Sequence, residues 1–291
     1  SEEIKRHVLP KVAAGEWISA FALTEPQSGS DVGAMACDAR LEGDHYVING
    51  EKTSISFSEQ ADLIVAFART GKVADVAKGI SAFVIPMNAP GVSRARFNDV
   101  GTKIVGRGSV FFDNVKIPVN HRMGEENRAF FQIMNGFDYS RALIGLQCLG
   151  AAQASLNESW EYIKERKAFG APLAQYQGVT FPLAEADTLL TAARALCYRT
   201  LWLRDAGLPH TAEAAMCKWW VPKISYEVIT QCLLTHGHYG YTTDLPHQQR
   251  MRDTLGLQIG DGTAQIQKLI IAREKVGRVA LQYAQQKAPA K

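Results

Sequence analysis

The sequence lacks the features of several protein classes. The net charge of the 291-residue chain is only +3, which is too small to predict binding to nucleic acid or to an anionic membrane surface. No apolar run approaches the roughly 20 residues that a membrane-spanning helix needs. The opening segment, SEEIKRHVLP, has charges where a signal peptide would have its apolar core. These absences favour a cytoplasmic protein that binds neither nucleic acid nor membrane.

Cysteine is scarce, and several catalytic signatures are missing. The cysteines are odd in number and form no C-x-x-C pair, which predicts reduced, mostly buried thiols. They are Cys37, Cys148, Cys197, Cys217 and Cys232. No P-loop, H-E-x-x-H or G-x-S-x-G motif is present, so the sequence gives no motif support for phosphoryl transfer, zinc proteolysis or α/β-hydrolase chemistry. His236 and His238 could begin a metal site, but no third ligand of matching spacing follows, so no metal is predicted.

The first half of the chain has the pattern of a β-domain. Short β-like runs occur at 45–50, 61–68, 79–86 and 109–118. Glycine and proline separate them, as in an antiparallel barrel or sandwich, and no strand–helix alternation supports a Rossmann or TIM fold. Asn49-Gly50 predicts a hairpin turn.

The second half has a helical pattern. Apolar periodicity begins near Ala142, runs over 177–205 and 210–235, and resumes near 263, which predicts an up-down four-helix bundle. Pro182 is expected to kink its helix or to lie near the first turn. The fold class is therefore α+β, a central antiparallel β-barrel or sandwich followed by a C-terminal four-helix bundle.

We expect three segments along the chain. Residues 1–16 resemble the remnant of an N-terminal helical domain, residues 17–119 form the β-domain, and residues 120–291 form the bundle. A lone opening helix of about 15 residues could not bury its apolar face, so we expect that other structure precedes it.

The segment from Met251 to Arg278 contains the strongest candidate for catalysis. Asp261 lies between Gly260 and Gly262, which allow unusual backbone conformations and the close approach of a flat ligand. Thr263 is predicted to cap the following helix. This places a short acid on a tight turn, where it could act as a base, although an ordinary acidic turn is the alternative.

Two further runs in the β-domain could contact a cofactor. FALTEPQSGSDVG (21–33) supplies Thr24, Ser28, Ser30 and backbone amides that could approach phosphate or a ring carbonyl. EKTSISFS (51–58) places Ser54 and Ser56 on one face of a strand. The alternatives are a plain polar turn and a solvated strand face.

In the helical half, polar pairs occur at motif-like positions. Asp138 and Arg141, in FDYSRALIG, are spaced to meet near a helix start, and a surface ion pair is the alternative. ERKAFG, followed by YQG, offers Arg166 and Gln177 as anion and amide contacts beside Phe169.

Taken together, TEPQSGSD, NGEKTSIS, FDYSR, ERKAFG, MRD and DGTAQIQ, in this order, resemble the acyl-CoA dehydrogenase family over essentially the whole chain. The family has an N-terminal helical domain, a β-domain and a four-helix bundle, usually as a homotetramer that binds FAD. The resemblance implies FAD as cofactor, an acyl-CoA substrate, electron-transfer flavoprotein as acceptor and a homo-oligomer, either tetramer or dimer.

The resemblance also implies roles for individual residues. FAD contacts are implied for Phe21, Leu23, Thr24, Ser30, Ser54, Ile55, Ser56, Arg166, Phe169, Gln177, Leu234, Gly237, His238, Thr263 and Gln265. Of these, the Ser56 hydroxyl would lie near flavin N5, while Arg166, Gln177 and the 234–238 turn would reach FAD bound mainly by a neighbouring subunit. Substrate contacts are implied for Ser30, Asp138, Arg141 and Gly262.

Asp261 falls where most members have the catalytic glutamate. The implied reaction is α,β-dehydrogenation of a CoA thioester, in which Asp261 removes the α-proton and the β-hydrogen leaves as hydride to flavin N5. A flavin ribityl hydroxyl and the Asp261 backbone amide would polarise the thioester carbonyl. Burial beside an apolar ligand would adapt the carboxylate to this task.

The chain departs from the family pattern at several positions. Aspartate is one methylene shorter than glutamate, so we expect a substrate whose α-carbon lies differently, such as a ring carbon. Members with Asp here include alicyclic acyl-CoA dehydrogenases, and the C-terminal half most resembles members acting on cyclohexanecarboxyl-CoA, in alicyclic acid degradation. Ser54 replaces a common tryptophan, and Ala168 and Leu234 replace polar residues.

Two alternatives remain from the sequence. One is a flavin-dependent oxidase on the same scaffold, acting on nitroalkanes or acyl-CoA. The other is a catalytically silent, truncated FAD-binding or assembly protein.

Overall fold

A computed structural model describes residues 1–281 of the chain, and residues 282–291, including the polar end QQKAPAK, lie outside the described part. The chain divides into two compact units, Ser1–Asn135 and Gly136–Lys291. The boundaries expected from the sequence, after residues 16 and 119, stay predictions.

The first unit is one helix and an eight-stranded sheet. Helix α1 covers Glu2–Ala13 and is capped by Ser1, whose hydroxyl accepts from the amide of Ile4. The strands are β1 Ser19–Ala22, β2 Asp38–Glu42, β3 His45–Ile55, β4 Leu63–Arg69, β5 Ile80–Pro86, β6 Val92–Arg96, β7 Gly108–Pro118 and β8 Arg122–Met123. Their order is β6-β7-β3-β2-β4-β5-β8, with β1 paired to β4.

The β-domain prediction is confirmed, with one difference in topology. Most neighbours in the sheet are antiparallel, but β1 and β2 both pair with β4 in parallel, so the sheet is mixed. Buried apolar side chains of several strands form its core, including Ile48, Ile64, Phe83, Ile85 and Val110, and β4 and β5 are buried along nearly their whole length.

The hairpin prediction at Asn49-Gly50 is wrong. Strand β3 continues through both residues, and its register against β7 shifts between Ile48 and Gly50, which marks a β-bulge. The turn lies instead at Gly43-Asp44, between β2 and β3. Gly50 has φ +140°, and a Cβ there would approach the Cys37 Cα to 2.8 Å. The glycine therefore serves close packing within the sheet rather than chain reversal.

The second unit is mainly helical. Its helices are α2 Ala129–Glu165, which begins in the first unit, α3 Gln177–Asp205, α4 Thr211–Thr235, α5 His247–Gly256 and α6 Ala264–Val276. A two-residue hairpin, β9 Lys167–Ala168 and β10 Ala171–Pro172, joins α2 to α3. The predicted four long helices correspond to α2, α3, α4 and α6. Pro182 lies within the second turn of α3.

Helix α5 was not predicted, because its sequence HQQRMRDTLG lacks an apolar period. Only His247 and Thr254 are buried in it. Met251 packs against the apolar core of the unit, and Arg250 donates to both carboxylate oxygens of Glu158 on α2, at 2.7 and 2.8 Å. The helix is short and mostly polar, so it offers too few apolar positions for a period to be recognised.

The predicted state of the cysteines is confirmed. All five are free and buried. Burial raises the pKa of Cys37 and Cys148 to about 12, so these thiols are not reactive at neutral pH. Separately, within residues 1–281 no helix combines the length and apolar character needed to cross a membrane.

Candidate active site

The first group of predicted site residues lies on the loop after β1 and at the end of β3. The amide of Thr53 donates to the carbonyl oxygen of Thr24 at 2.9 Å, which brings the loop against the strand. Leu23 and Ile55 are buried beneath this surface, whereas Thr24 is half-buried and Phe21 is exposed. The structure therefore brings the predicted loop and strand contacts together.

Three serines of this group have different surroundings. Ser54 and Ser56 are both exposed, but the prediction that they share one face of a strand is wrong, because β3 ends at Ile55 and Ser56 lies in the turn that follows. Ser54 also has a left-handed φ of +60°, which interrupts the regular alternation of the strand. Ser30 is exposed on the loop. Ser28, in contrast, is buried and donates to the carbonyl oxygen of Asp31 at 2.6 Å. Ser28 therefore shapes the loop, and the other three hydroxyls face outward.

A buried ion pair, which the motif analysis missed, fixes this loop. Lys52 Nζ lies 2.7 Å from Glu25 Oε1, and both side chains are at most 1% exposed. Lys52 also donates to the carbonyl oxygen of Leu23, while the amides of Ala36 and Cys37 donate to the Glu25 carboxylate. Lys52 and Glu25 lie 27 positions apart, so only their presence in TEPQSGSD and NGEKTSIS could have suggested the pairing.

The second group is the turn at Asp261. Thr263 caps α6, and its hydroxyl accepts from the amide of Ile266, as predicted. Asp261 is exposed and itself has a left-handed φ of +54°. Gly262 has φ +91°, and a Cβ there would come within 2.6 Å of Gln267 Nε2. Gly260 has neither a left-handed φ nor a close neighbour at its Cβ position. Of the two glycines, only Gly262 therefore lies where a side chain would be strained.

Side chains of α6 and α4 hold this turn through hydrogen bonds to its backbone carbonyls. Gln267 is fully buried, and its Nε2 donates to the carbonyl oxygens of Asp261 and Gly262 at 3.3 and 3.2 Å. Lys218, on α4, donates to the carbonyl oxygen of Leu257 at 2.7 Å. Gln265, one of the predicted cofactor contacts, is exposed on α6. Sequence reasoning did not identify Gln267 or Lys218.

Asp138 and Arg141 meet as their spacing predicts. Arg141 Nη1 donates to Asp138 Oδ1 at 2.7 Å, and Thr211 donates to the other carboxylate oxygen at 2.6 Å. The pair lies inside α2 rather than near its start, and Arg141 is only 6% exposed. Burial lowers the pKa of Arg141, and the charges of Asp138 and Asp261 act in the opposite direction. The negative charge of Asp261 therefore acts on the Arg141 guanidinium.

The remaining predicted contacts lie at the other end of the helical unit. Arg166, Phe169 and Gln177 surround the hairpin between α2 and α3, and all three are exposed. Leu234 lies in the last turn of α4, Gly237 and His238 follow the end of this helix, and all three are also exposed. Tyr162 Oη donates to the carbonyl oxygen of His236, which places both segments at one end. Arg141 lies about 30 Å from Tyr162 along α2, so these residues do not share a surface with Asp261.

His236 has a structural environment rather than a metal-binding one. Its ring stacks on Tyr162 with centroids 4.2 Å apart and lies 4.4 Å from the ring of His247. His238 instead lies against Tyr239. Among the described residues, no group of three or more His, Cys, Asp or Glu side chains could hold a metal ion.

His247 should make the protein sensitive to acid. Its side chain is 1% exposed, and burial, with the neighbouring His236, lowers its pKa from 6.5 to about 4, although Glu158 opposes the shift. Between these two values the unfolded chain binds more protons, so the free energy of unfolding falls as pH drops from 6.5 to 4. The loss attributable to His247 should reach about 2–3 kcal/mol.

Urea unfolding at pH 7 and pH 4.5 tests this expectation. His247→Phe should lose less stability between the two pH values than the parent chain does. His238→Phe, at an exposed position of the same unit, should leave the pH dependence unchanged. Equal losses in the parent and in His247→Phe would contradict the assignment.

The chemistry of the first group fits an isoalloxazine ring. The exposed face around Thr24, Ser30, Ser54 and Ser56 offers hydroxyls and backbone amides, and the ring of Phe21 lies beside Phe67 at 5.0 Å. A flat, uncharged ring with N–H and C=O edges matches such a donor set. The buried charges of Glu25 and Lys52 neutralise each other, so this ion pair adds no net charge next to the proposed ring-binding surface.

Comparisons with known proteins agree with this arrangement. The family profile described as "Acyl-CoA dehydrogenase, middle domain" matches residues 20–115, and "Acyl-CoA dehydrogenase, C-terminal domain" matches residues 127–276. The structure of butyryl-CoA dehydrogenase from Megasphaera elsdenii superposes with a TM-score of 0.91 at 31% identity, covering 94% of this chain and 72% of that one.

Three relatives show the range of names among similar proteins. The short-chain specific acyl-CoA dehydrogenase of Clostridium acetobutylicum is 39% identical over 94% of this chain and 72% of its own length. The caffeyl-CoA reductase-Etf complex subunit CarC of Acetobacterium woodii is 35% identical, with 93% and 71% covered. The cyclohexane-1-carbonyl-CoA dehydrogenase of Geobacter metallireducens is 34% identical, with 94% and 72% covered. The chain belongs to the acyl-CoA dehydrogenase family.

Proposed function

We propose that this protein dehydrogenates an alicyclic acyl-CoA thioester, with Asp261 as the base. Membership of the family makes the chain an oxidoreductase acting on acyl-CoA and implies FAD as its cofactor. The observation that supports the finer proposal is the Asp261 turn, which presents a carboxylate at an exposed, left-handed position directly before a capped helix.

The chain's own residues provide binding, orientation and proton transfer. Asp261 accepts the α-proton of the thioester and holds it on its carboxylate. The hydroxyls around Thr24 and Ser56 orient the cofactor, and the Asp138–Arg141 pair borders the substrate near Asp261. FAD, when bound, supplies the acceptor for the hydride that leaves the β-carbon. The products would be the α,β-unsaturated thioester, the proton held on Asp261 and the cofactor in its reduced form.

The length of the base favours a ring substrate. An aspartate reaches one methylene less far than a glutamate, and a misplacement of about 1 Å can cost about 100-fold in rate. A tertiary α-carbon in a ring is held differently from the α-carbon of a straight chain, and it can approach a shorter base. The relative named cyclohexane-1-carbonyl-CoA dehydrogenase also supports this substrate class.

A short, straight-chain acyl-CoA is the second candidate. The relative with 39% identity has a short-chain name, and the similar solved structure is that of a butyryl-CoA dehydrogenase. A panel with cyclohexanecarboxyl-CoA and butyryl-CoA separates the two candidates. Faster flavin bleaching by the cyclic thioester under anaerobic conditions supports our proposal, and faster bleaching by butyryl-CoA contradicts it.

Lengthening the base should reverse the substrate preference. In Asp261→Glu we expect the ratio of kcat/KM for cyclohexanecarboxyl-CoA to butyryl-CoA to fall by about 100-fold, the loss that a misplacement of about 1 Å can cause. Steady-state kinetics with both thioesters measures this ratio. An unchanged ranking in Asp261→Glu would show that the reach of the base does not select the substrate.

We also propose an electron-transfer flavoprotein as the acceptor and a homo-oligomer as the functional form. A relative is named as a subunit of a complex with Etf, which supports the first. The exposed contacts at the far end of the helical unit, such as Phe169, support the second. Rapid peroxide formation without an added acceptor would instead favour the oxidase alternative.

A further inference from the structure

The turn from Leu257 to Gly262 needs external support. Asp261 has a left-handed φ without being glycine, and such a conformation costs of order 1 kcal/mol or more for a residue with a Cβ. The amides of Gln258 and Ile259 donate to preceding carbonyls at the end of α5. The carbonyl oxygens of Leu257 and Gly262 point to side chains of other helices instead.

Lys218 is the only full charge that contacts the turn's backbone among the hydrogen bonds of the described residues. Its Nζ lies 2.7 Å from the Leu257 oxygen and 3.4 Å from the Gly262 oxygen, so a single ammonium group spans the two ends of the turn. The residue is 1% exposed. Leu257 is also the C-cap of α5, where the helix dipole favours a cation.

Burying this lysine is costly, which argues for a role that an apolar residue could not fill. Burial lowers the pKa of Lys218 to about 8, although the negative charge of Asp261 acts against this shift. An apolar side chain of similar size would fill the space without the desolvation cost. The hydrogen bonds that Lys218 donates to the carbonyl oxygens of Leu257 and Gly262 offset this desolvation cost.

We propose that Lys218 is a positioning residue for the base, and that it acts by holding the Leu257–Gly262 turn so that Asp261 is kept at one place. Gln267 supports the turn from α6, and Lys218 supports it from α4. The proposal rests on the proposed function, since it assigns Lys218 a role through Asp261. Lys218 itself contacts no reacting atom.

Hydrogen–deuterium exchange of the full flavin-loaded chain tests the structural half of the proposal. In Lys218→Met, amides of residues 255–265 should exchange at least about tenfold faster, since the turn loses both bonds. Lys223→Met, on an exposed residue of the same helix that pairs with Glu227, should leave these amides unchanged. Unchanged exchange in Lys218→Met would overturn the proposal, whatever the substrate is. If Lys218→Met does not fold, Lys218→Gln is measured in its place.

Kinetics of the same variants tests the functional half. We expect kcat of Lys218→Met to fall by about 10- to 100-fold with KM changed less than about threefold, because a displaced base affects the chemical step. Faster exchange with unchanged kcat would show that the order of the turn does not matter, which also overturns the proposal. If the parent chain neither binds flavin nor reacts with acyl-CoA, the proposed function fails, and the same exchange comparison on the flavin-free chains then decides whether Lys218 holds the turn.

Discussion

Asp261→Asn is expected to slow the reduction of the bound flavin by an acyl-CoA thioester by about 10²- to 10⁴-fold, the range that a positioned general base contributes. Asparagine has the size of aspartate and can adopt the same left-handed φ of +54°, so the turn should persist. It cannot accept the α-proton. Stopped-flow measurement of flavin bleaching under anaerobic conditions gives the rate directly.

The expected flavin content of Asp261→Asn equals that of the parent chain. The predicted cofactor contacts in the first unit, such as Thr24 and Ser56, are untouched by the substitution. Asp244→Asn, at another exposed carboxylate of the helical unit, is the matched control and should react within about twofold of the parent rate. A parental rate in Asp261→Asn would remove this residue from the mechanism.

Lys52→Met should lower the free energy of unfolding by about 3–5 kcal/mol, because it leaves the carboxylate of Glu25 buried without its cation. Glu25 accepts from the amides of Ala36 and Cys37 as well as from Lys52. These bonds fix the loop that contains Thr24 and Ser30, so we also expect the variant to bind flavin more weakly. Urea unfolding and flavin titration measure the two effects.

The exposed pair Lys5–Glu2 provides a matched control. Its Nζ–Oε1 distance, 2.7 Å, equals that of Lys52–Glu25, but its side chains are 61% and 72% exposed. Lys5→Met should therefore cost less than about 1 kcal/mol. If Lys52→Met costs as little as Lys5→Met does, the buried pair does not organise the loop.

Much of the fold could be predicted from local patterns. The strands of the first unit are short apolar runs, of which β4 and β5 are buried along nearly their whole length, and the long helices have apolar periods, so both classes of element are visible in the sequence. Helix α5 was missed because it has only ten residues and most of them are polar. Asn49-Gly50 was misassigned because a glycine in a bulge and a glycine in a turn have the same local sequence.

The candidate site was predictable only where its residues lie in one motif. Asp138 and Arg141 meet because three residues separate them on a helix, and Thr263 caps α6 because it directly precedes it. Lys218 was not found, because it reaches the Asp261 turn across 39 and 44 positions. A single lysine inside an apolar helix gives a weak sequence signal. Its partners are backbone carbonyls, which every residue has, so the sequence does not mark them.

The most direct test of the account is the visible spectrum of the purified chain, followed by anaerobic titration with cyclohexanecarboxyl-CoA. We predict an oxidised flavin band that bleaches as the thioester is added and recovers when an electron acceptor is supplied. A flavin band unchanged by cyclohexanecarboxyl-CoA and by butyryl-CoA would contradict the assignment of this chain as an acyl-CoA dehydrogenase.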